Sequence, residues 1–151
     1  MKHFAIAAAL AAGLGLALPA SAQFQKPEDA VKYRKSAFAL LSTHFGRIGA
    51  MAQGRVPYDA AAAAANADLA ATLSKLPYAG FVEGTAGTEK GSPKPNVWTE
   101  RPKFDEAAKK MQDEVAKLAV AAKSNNLDQL KAAFGSAAQS CKACHDNFRN
   151  P

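Results

Sequence analysis

Residues 127–148 read LDQLKAAFGSAAQSCKACHDNF, a helical pattern that ends in a C-x-x-C-H motif. Apolar side chains recur along it at alternating spacings of three and four residues, the period of one face of an α-helix. Asn126 stands before the pattern as a suitable N-cap. Both cysteines fall on the apolar face, so we expect them to point toward the core. That face comprises Leu127, Leu130, Phe134, Ala137, Cys141, Cys144 and Phe148.

The spacing of Cys141, Cys144 and His145 is that of a c-type haem attachment motif, in which two thiols bond to the porphyrin and the imidazole reaches the iron. The chain has no other cysteine for a disulfide framework or a cysteine-built zinc site. A thioredoxin-like C-x-x-C needs a strand before it, and nothing upstream is typical of a strand. We predict one covalent haem c, with Nε2 of His145 as an axial iron ligand. The alternative for His145 is an ordinary surface histidine at a helix end.

Three further helices are predicted upstream. The first runs from about Pro27 to Gly49, and its apolar stripe becomes a regular alternation only if Arg34 is included. The second begins near Tyr58 and presents Leu69, Leu73 and Leu76 after an alanine-rich run. The third, 103–123, has the stripe Phe104, Ala108, Met111, Val115, Leu118 and Ala122. Residues 79–102, rich in glycine and proline, are predicted to form a loop. The fold class is therefore all-α, an antiparallel four-helix bundle with its cofactor between facing helices.

The first 22 residues have the features of a secretory signal peptide. Lys2 and His3 precede an apolar run from Phe4 to Leu18, and Ala20-Ser21-Ala22 is an A-x-A cleavage site. This run is shorter than the about 18 residues that indicate a membrane span. We predict a cleaved leader at 1–22, a single mature domain at 23–151, no membrane span, and a bacterial periplasmic location.

The mature chain is basic, with 18 Lys and Arg against 13 Asp and Glu. These charges are spread along the chain without a Lys/Arg block, and few aromatic residues lie between them, which argues against nucleic-acid binding. A weak preference for acidic redox partner proteins fits this charge better.

Several features together resemble the cytochrome c′ family. They are the leader, four helices, the segment PEDAVKYR at 27–34 and the segment CKACHD at 141–146, placed in a final helix. The resemblance covers the mature chain. It implies a homodimeric periplasmic haem protein with five-coordinate iron that binds NO and CO.

The resemblance also implies roles for individual residues. Arg34 and Lys35 correspond to the residues that bind the haem propionates, and Glu89 to a further loop contact. Arg149 corresponds to the basic residue beside the proximal histidine, and Phe38 to the residue that covers the distal face of the iron. Three of these residues also have a simpler structural interpretation. Arg34 could extend to the bundle end, Phe38 could pack in the core, and Arg149 is favoured at a helix C-terminus.

The distal face of the iron decides the function. Six residues follow His145 in this sequence, so we expect no ligand from downstream. Upstream, Met51 stands at the far end of the first helix and Met111 suits the core. Phe38 cannot bind iron but can cover it, and a wall without hydrogen-bond donors favours NO or CO over oxygen.

Two functions remain after this argument. Gas binding ranks first, because a six-coordinate iron with fixed ligands, the arrangement that favours electron transfer, lacks its second ligand here. An electron-transfer cytochrome is the alternative. A peroxidase-like enzyme needs distal acid–base groups, which Phe38 does not supply, so we expect no enzyme activity.

Overall fold

The computed structural model describes residues 23–151, so the predicted leader at 1–22 lies outside the described residues. Five α-helices follow in chain order, and a 3₁₀ turn at Pro77–Gly80 separates the second from the third. The helix α3 is a single turn, so the four long helices α1, α2, α4 and α5 form the bundle. This confirms the predicted four-helix bundle. The helices are α1 (Pro27–Ala52), α2 (Ala60–Leu73), α3 (Asn96–Thr99), α4 (Arg101–Ala122) and α5 (Leu127–Phe148).

The helices pack in the order in which they follow one another, α1 on α2, α2 on α4 and α4 on α5, whereas α1 and α5 make little direct contact. Chain direction alternates between neighbours: Gly49 near the end of α1 meets Phe134 near the start of α5, and Phe104 near the start of α4 meets Phe148 at the end of α5. One end of the bundle therefore brings together the start of α1, the end of α2, the start of α4 and the end of α5.

The stripes predicted for the third and fourth helices are confirmed. Every member of the predicted stripe of α4 is buried. On α5, Leu130, Ala137 and Phe148 are buried, and the remaining stripe residues are partly buried against the core. The side chain of Asn126 accepts hydrogen bonds from the backbone N–H groups of Asp128 and Gln129, both at 3.0 Å, and so caps α5 as predicted.

The face predicted for the second helix is wrong at two of its three leucines, whereas Leu73 packs, partly buried, against the core. Leu69 and Leu76 are 47% and 39% exposed, whereas Ala63, Ala67 and Ala70 are fully buried. Small side chains let helix backbones approach closely, so the alanine face packs against α1 and α4 and turns Leu69 outward. One face of this alanine-rich helix is thus core, and Ala61 and Ala65 of the run are exposed.

The segment predicted as a continuous loop, 79–102, contains the one-turn helix α3 and the end of the 3₁₀ turn. The 3₁₀ turn begins at Pro77 and α3 begins directly after Pro95, because the fixed φ of proline suits the start of a helix. Among the helices of residues 23–151, none is long and apolar enough to cross a membrane.

Candidate functional site

The end of the bundle that holds the C-x-x-C-H motif also gathers aromatic side chains from every long helix or its adjoining turn. These residues, the aromatic cluster, are Phe38 of α1, Tyr78 and Phe81 after α2, Phe104 of α4 and Phe148 of α5. Ring centroids lie 6.3 Å apart between Phe38 and both Tyr78 and Phe81, 4.9 Å apart between Phe81 and Phe104, and 5.4 Å apart between Phe104 and Phe148. The cluster thus connects α1 to α5 across the seam where they make little direct contact.

Cys141 and Cys144 face this region from one side of α5. Both are half-buried free thiols, Cys141 against the main core and Cys144 against Phe104 and Phe148. Burial raises the pKa of both thiols, and that of Cys144 reaches about 11, so both stay protonated at neutral pH. Within residues 23–151, no three His, Cys, Asp or Glu side chains are grouped closely enough to hold a metal ion.

The two cysteines and the aromatic cluster suit the binding of a flat, largely apolar macrocycle such as a porphyrin. Two half-buried thiols one helical turn apart offer its attachment points, and the aromatic cluster offers ring faces and edges against which it can pack. His145 follows the second thiol directly, at the exposed end of the motif. The predicted attachment residues and Phe38 therefore lie at one end of the fold.

The aromatic surface around Phe38 is not the purely apolar wall that the sequence predicts, because it includes a tyrosine hydroxyl. Tyr78 lies beside Phe38, and burial, followed by the nearby Cys144 and Cys141, raises the pKa of its hydroxyl above the ordinary value. The group is therefore a protonated potential hydrogen-bond donor. The expectation of a donor-free wall has to be amended to an aromatic wall with one hydroxyl.

Arg34 is buried, 4% exposed, as its place on the stripe of α1 predicts. Its Nη1 donates to the Gly80 carbonyl at 2.9 Å and to Oγ1 of Thr85 at 2.6 Å, and Nη2 donates to the Thr85 carbonyl at 2.6 Å. Its guanidinium lies 5.0 Å from the Phe81 ring centroid. Burial lowers the pKa of Arg34, but the guanidinium keeps its charge. All of its acceptors are neutral, so the charge has no anionic partner within the described residues.

Lys35 is exposed beside Arg34 and lines an open cavity of about 490 Å³ together with Val31 and residues 84–86. Arg34 and Lys35 thus flank the same loop, whereas Glu89 lies further along it. The Glu89 side chain is exposed and, within residues 23–151, makes no hydrogen bond or ion pair with Arg34 or Lys35. Its role stays a prediction, as do those of Arg34 and Lys35.

His145 lines a second cleft, of about 440 Å³, on the outer side of α5. Arg149 lies one turn further along, with Nη1 3.5 Å from Nδ1 of His145. Partial burial, and then the charge of Arg149, lower the pKa of His145 and so favour the neutral imidazole that binds metals. Lys90 and Lys94 form the facing wall of this cleft. The structure therefore brings Arg149 to His145, as expected.

Sequence reasoning missed two residues, Thr85 and Asn150, that hold the loops around the site. Thr85 accepts two of the hydrogen bonds of Arg34. Asn150 bonds to the loop segment 87–92 through its side chain and backbone. These contacts join segments far apart in the chain, and no local pattern marks them.

Comparison with known proteins gives one consistent family. The family model described as Cytochrome C′ matches residues 29–149. Cytochrome c′ from Alcaligenes xylosoxydans xylosoxydans is 48% identical over 127 residues, covering 84% of this chain and 98% of the relative. The Rubrivivax gelatinosus protein of the same name is 49% identical, with the same coverage.

Solved structures agree with the sequence comparison. The crystal structure of cytochrome c′ from Rubrivivax gelatinosus has a TM-score of 0.79 and 48% identity, and the match covers 85% of this chain and all of that one. A nitric oxide complex of a single-residue mutant of cytochrome c′ from Alcaligenes xylosoxidans also has a TM-score of 0.79, with 46% identity over 85% of this chain and 99% of that one.

Replacement of Arg34 by Met should lower the free energy of unfolding by about 2 kcal/mol, because the buried carbonyls of Gly80 and Thr85 lose their donor. Lys35→Met removes the same charge from an exposed neighbour and should change stability by less than about 0.5 kcal/mol. Chemical denaturation of the two purified variants measures the difference. Equal losses would contradict the anchoring role of Arg34.

Proposed function

The chain belongs to the cytochrome c′ family, and on that basis we propose that it is a periplasmic protein whose covalent haem c holds a five-coordinate iron that binds NO and CO. The observation that carries this proposal is the placement of Cys141 and Cys144 on the inner face of α5, across the aromatic cluster from Phe38. The family itself implies a covalent c-type haem. One haem per chain follows from the single motif.

In this proposal Cys141 and Cys144 form the thioether bonds and His145 binds the iron. Among residues 23–151, the methionines and the other histidine that could bind iron are engaged elsewhere. Met51 and Met111 are buried in the main core, and Nδ1 of His44 lies 2.9 Å from Oδ1 of Asn66. These positions support an iron with one protein ligand and an aromatic wall opposite.

Arg34 and Lys35 are proposed to bind the propionates. A guanidinium has five N–H donors, and Arg34 uses three of them on Gly80 and Thr85. Its Nε–H and one Nη2–H have no acceptor within residues 23–151, and together they form an edge that suits a bidentate carboxylate. The neutral surroundings of this buried charge support an anionic partner. Glu89 remains a weaker candidate on the same loop.

We propose gas binding as the function, ahead of catalysis and electron transfer. The nitric oxide complex belongs to the Alcaligenes protein, and its similarity to this chain supports the same ligand here. Phe38 supplies no acid–base group, so we propose a binding protein that takes part in NO binding or detoxification, not an enzyme. Electron transfer with acidic partner proteins is the second candidate, favoured by Lys90, Lys94 and Arg149 around the cleft at His145.

Export and pairing complete the proposal. The leader at 1–22 would leave 129 residues, close to the 127 over which the two relatives match. We propose a homodimer through α1 and α2, the arrangement that the family suggests. Leu40 of α1 and Leu69 of α2 are 53% and 47% exposed and would be covered there.

Absorption spectroscopy of the ferrous protein tests the gas-binding proposal. The unliganded protein should show a five-coordinate, high-spin spectrum, and CO and NO should each change it, because one face of the iron carries no protein ligand. A split low-spin α-band that CO leaves unaltered would instead support the electron-transfer alternative.

Phe38→Ala should raise the CO association rate about tenfold, equivalent to about 1.4 kcal/mol of activation barrier, because the side chain covering the iron is removed. Phe45→Ala is the matched control, since Phe45 lies on the same helix but stacks on Phe134 at 4.6 Å, outside the aromatic cluster. Flash photolysis measures both rates. An unchanged rate in Phe38→Ala, or an equal rise in both variants, would refute the covering role.

Native mass spectrometry tests processing, haem content and pairing together. The exported protein should be a dimer, with each chain beginning at Gln23 and carrying one haem. Leu69→Glu should produce monomers because it places a charge in the proposed interface, whereas Val120→Glu, at a 74% exposed site on α4, should not. A monomeric wild-type protein, or a dimer that Leu69→Glu leaves intact, would exclude the interface.

A further inference from the structure

The end of α5 is paired with the connecting segment 87–94 through Asn150. Its backbone N–H donates to the Ser92 carbonyl at 2.9 Å, and its own carbonyl accepts from the Gly91 N–H at 3.0 Å. The side-chain Nδ2 donates to the Gly87 carbonyl at 2.7 Å and to Oγ of Ser92 at 3.0 Å. One residue thus makes four hydrogen bonds to a segment about 60 positions away in the chain.

Neighbouring contacts continue this pairing. The N–H of Lys94 donates to the Phe148 carbonyl at 2.9 Å, and Pro93 forms a bridge with Arg149. Gly91 has φ +82°, and a Cβ there would lie 3.2 Å from Nη2 of Arg149. Glycine therefore permits both the backbone conformation and the close approach of the guanidinium. The pairing fixes the segment against the helix end that carries His145.

The pairing decides which charges surround His145. Segment 87–94 carries Glu89, Lys90 and Lys94, a net charge of +1, and both lysines line the cleft at His145. Arg149 contributes a further charge, held against Gly91. Asp146 lies in the same cleft, but Lys142 pairs with its carboxylate at 2.6 Å. The segment therefore adds its net positive charge to that of Arg149 in the cleft only while it stays in place.

We propose that Asn150 is a positioning residue: by holding segment 87–94 against the end of α5, it keeps Lys90, Lys94 and Arg149 around His145 and so favours the reduced iron. This inference rests on the proposed function, in which His145 binds the haem iron. Positive charge near a redox centre favours the state with the extra electron. Release of the segment would let its net positive charge move into solvent, where water and salt screen it.

The test uses the haem-loaded protein and Asn150→Ala. The matched control is Asn147→Ala, because the Asn147 side chain donates only to the Ala143 carbonyl within its own helix. Two quantities are measured: the reduction potential by spectroelectrochemistry, and hydrogen exchange of the Gly91 and Lys94 amides, which does not depend on the iron. Asn150→Ala should accelerate exchange at both amides and raise the ferric-to-ferrous ratio at fixed potential about two- to threefold. Asn147→Ala should change neither.

Faster exchange with an unchanged potential would overturn the proposal, since the pairing would then be merely structural. Unchanged exchange, or equal effects in the two variants, would overturn it as well. Should Asn150→Ala fail to fold, Ser92→Ala removes one partner of Nδ2 and is judged by the same two measurements, with a smaller change in the same direction expected. A wild-type protein without haem, or with iron insensitive to CO, would refute the proposed function, whereas the exchange result would still report on the pairing.

Discussion

The interaction on which the rest of this structure depends is the packing of both cysteines on the inner face of α5. A haem attached there must lie between helices. The seam between α5 and α1 suits it best, because direct helix contact is sparse there and aromatic side chains separate the two helices. At the opposite end of the bundle, Gly49 lets the two helices close on Phe134. The bundle is therefore tight at one end and filled by the aromatic cluster at the other.

A buried cation stands at the edge of that seam. Arg34 occupies a core position on α1, yet its acceptors are neutral carbonyls and one hydroxyl. Burying a guanidinium costs free energy unless it is well bonded, and a charged partner compensates it better than neutral ones. The two N–H donors that are free within residues 23–151, both on one edge of the Arg34 guanidinium, are thus expected in a protein that binds an anionic cofactor beside Arg34.

Sequence periodicity predicted α4 and α5 well because large apolar side chains define one face of each, from Phe104 to Ala122 and from Leu127 to Phe148. It was wrong for Leu69 and Leu76, which are exposed, because alanines form the buried face of α2, and it was right for Leu73, which packs against the core. Apolar size is a poor guide to burial where small residues form the packed face, as Ala63, Ala67 and Ala70 do on α2. The C-x-x-C-H motif identified Cys141 and Cys144 as candidate site residues, and the first helix supplied the candidates Arg34 and Phe38. The hydrogen bonds of Thr85 and Asn150 could not be predicted, because they join segments far apart in the chain and no local pattern marks them.

The connection between α2 and α4 spans the two helices that flank the seam. Its first part is held to α1, since Arg34 bonds to Gly80 and Thr85. Its later part is held to α5, since Asn150 bonds to Gly87, Gly91 and Ser92. Long connections in compact domains usually have a functional role, and this one is bonded to both walls of the seam, to α1 through Arg34 and to the end of α5 through Asn150 and its neighbours. The α1–α5 pair, which packs least directly, is therefore joined at the site end through this connection, so that the loop and the cofactor site form one structural unit.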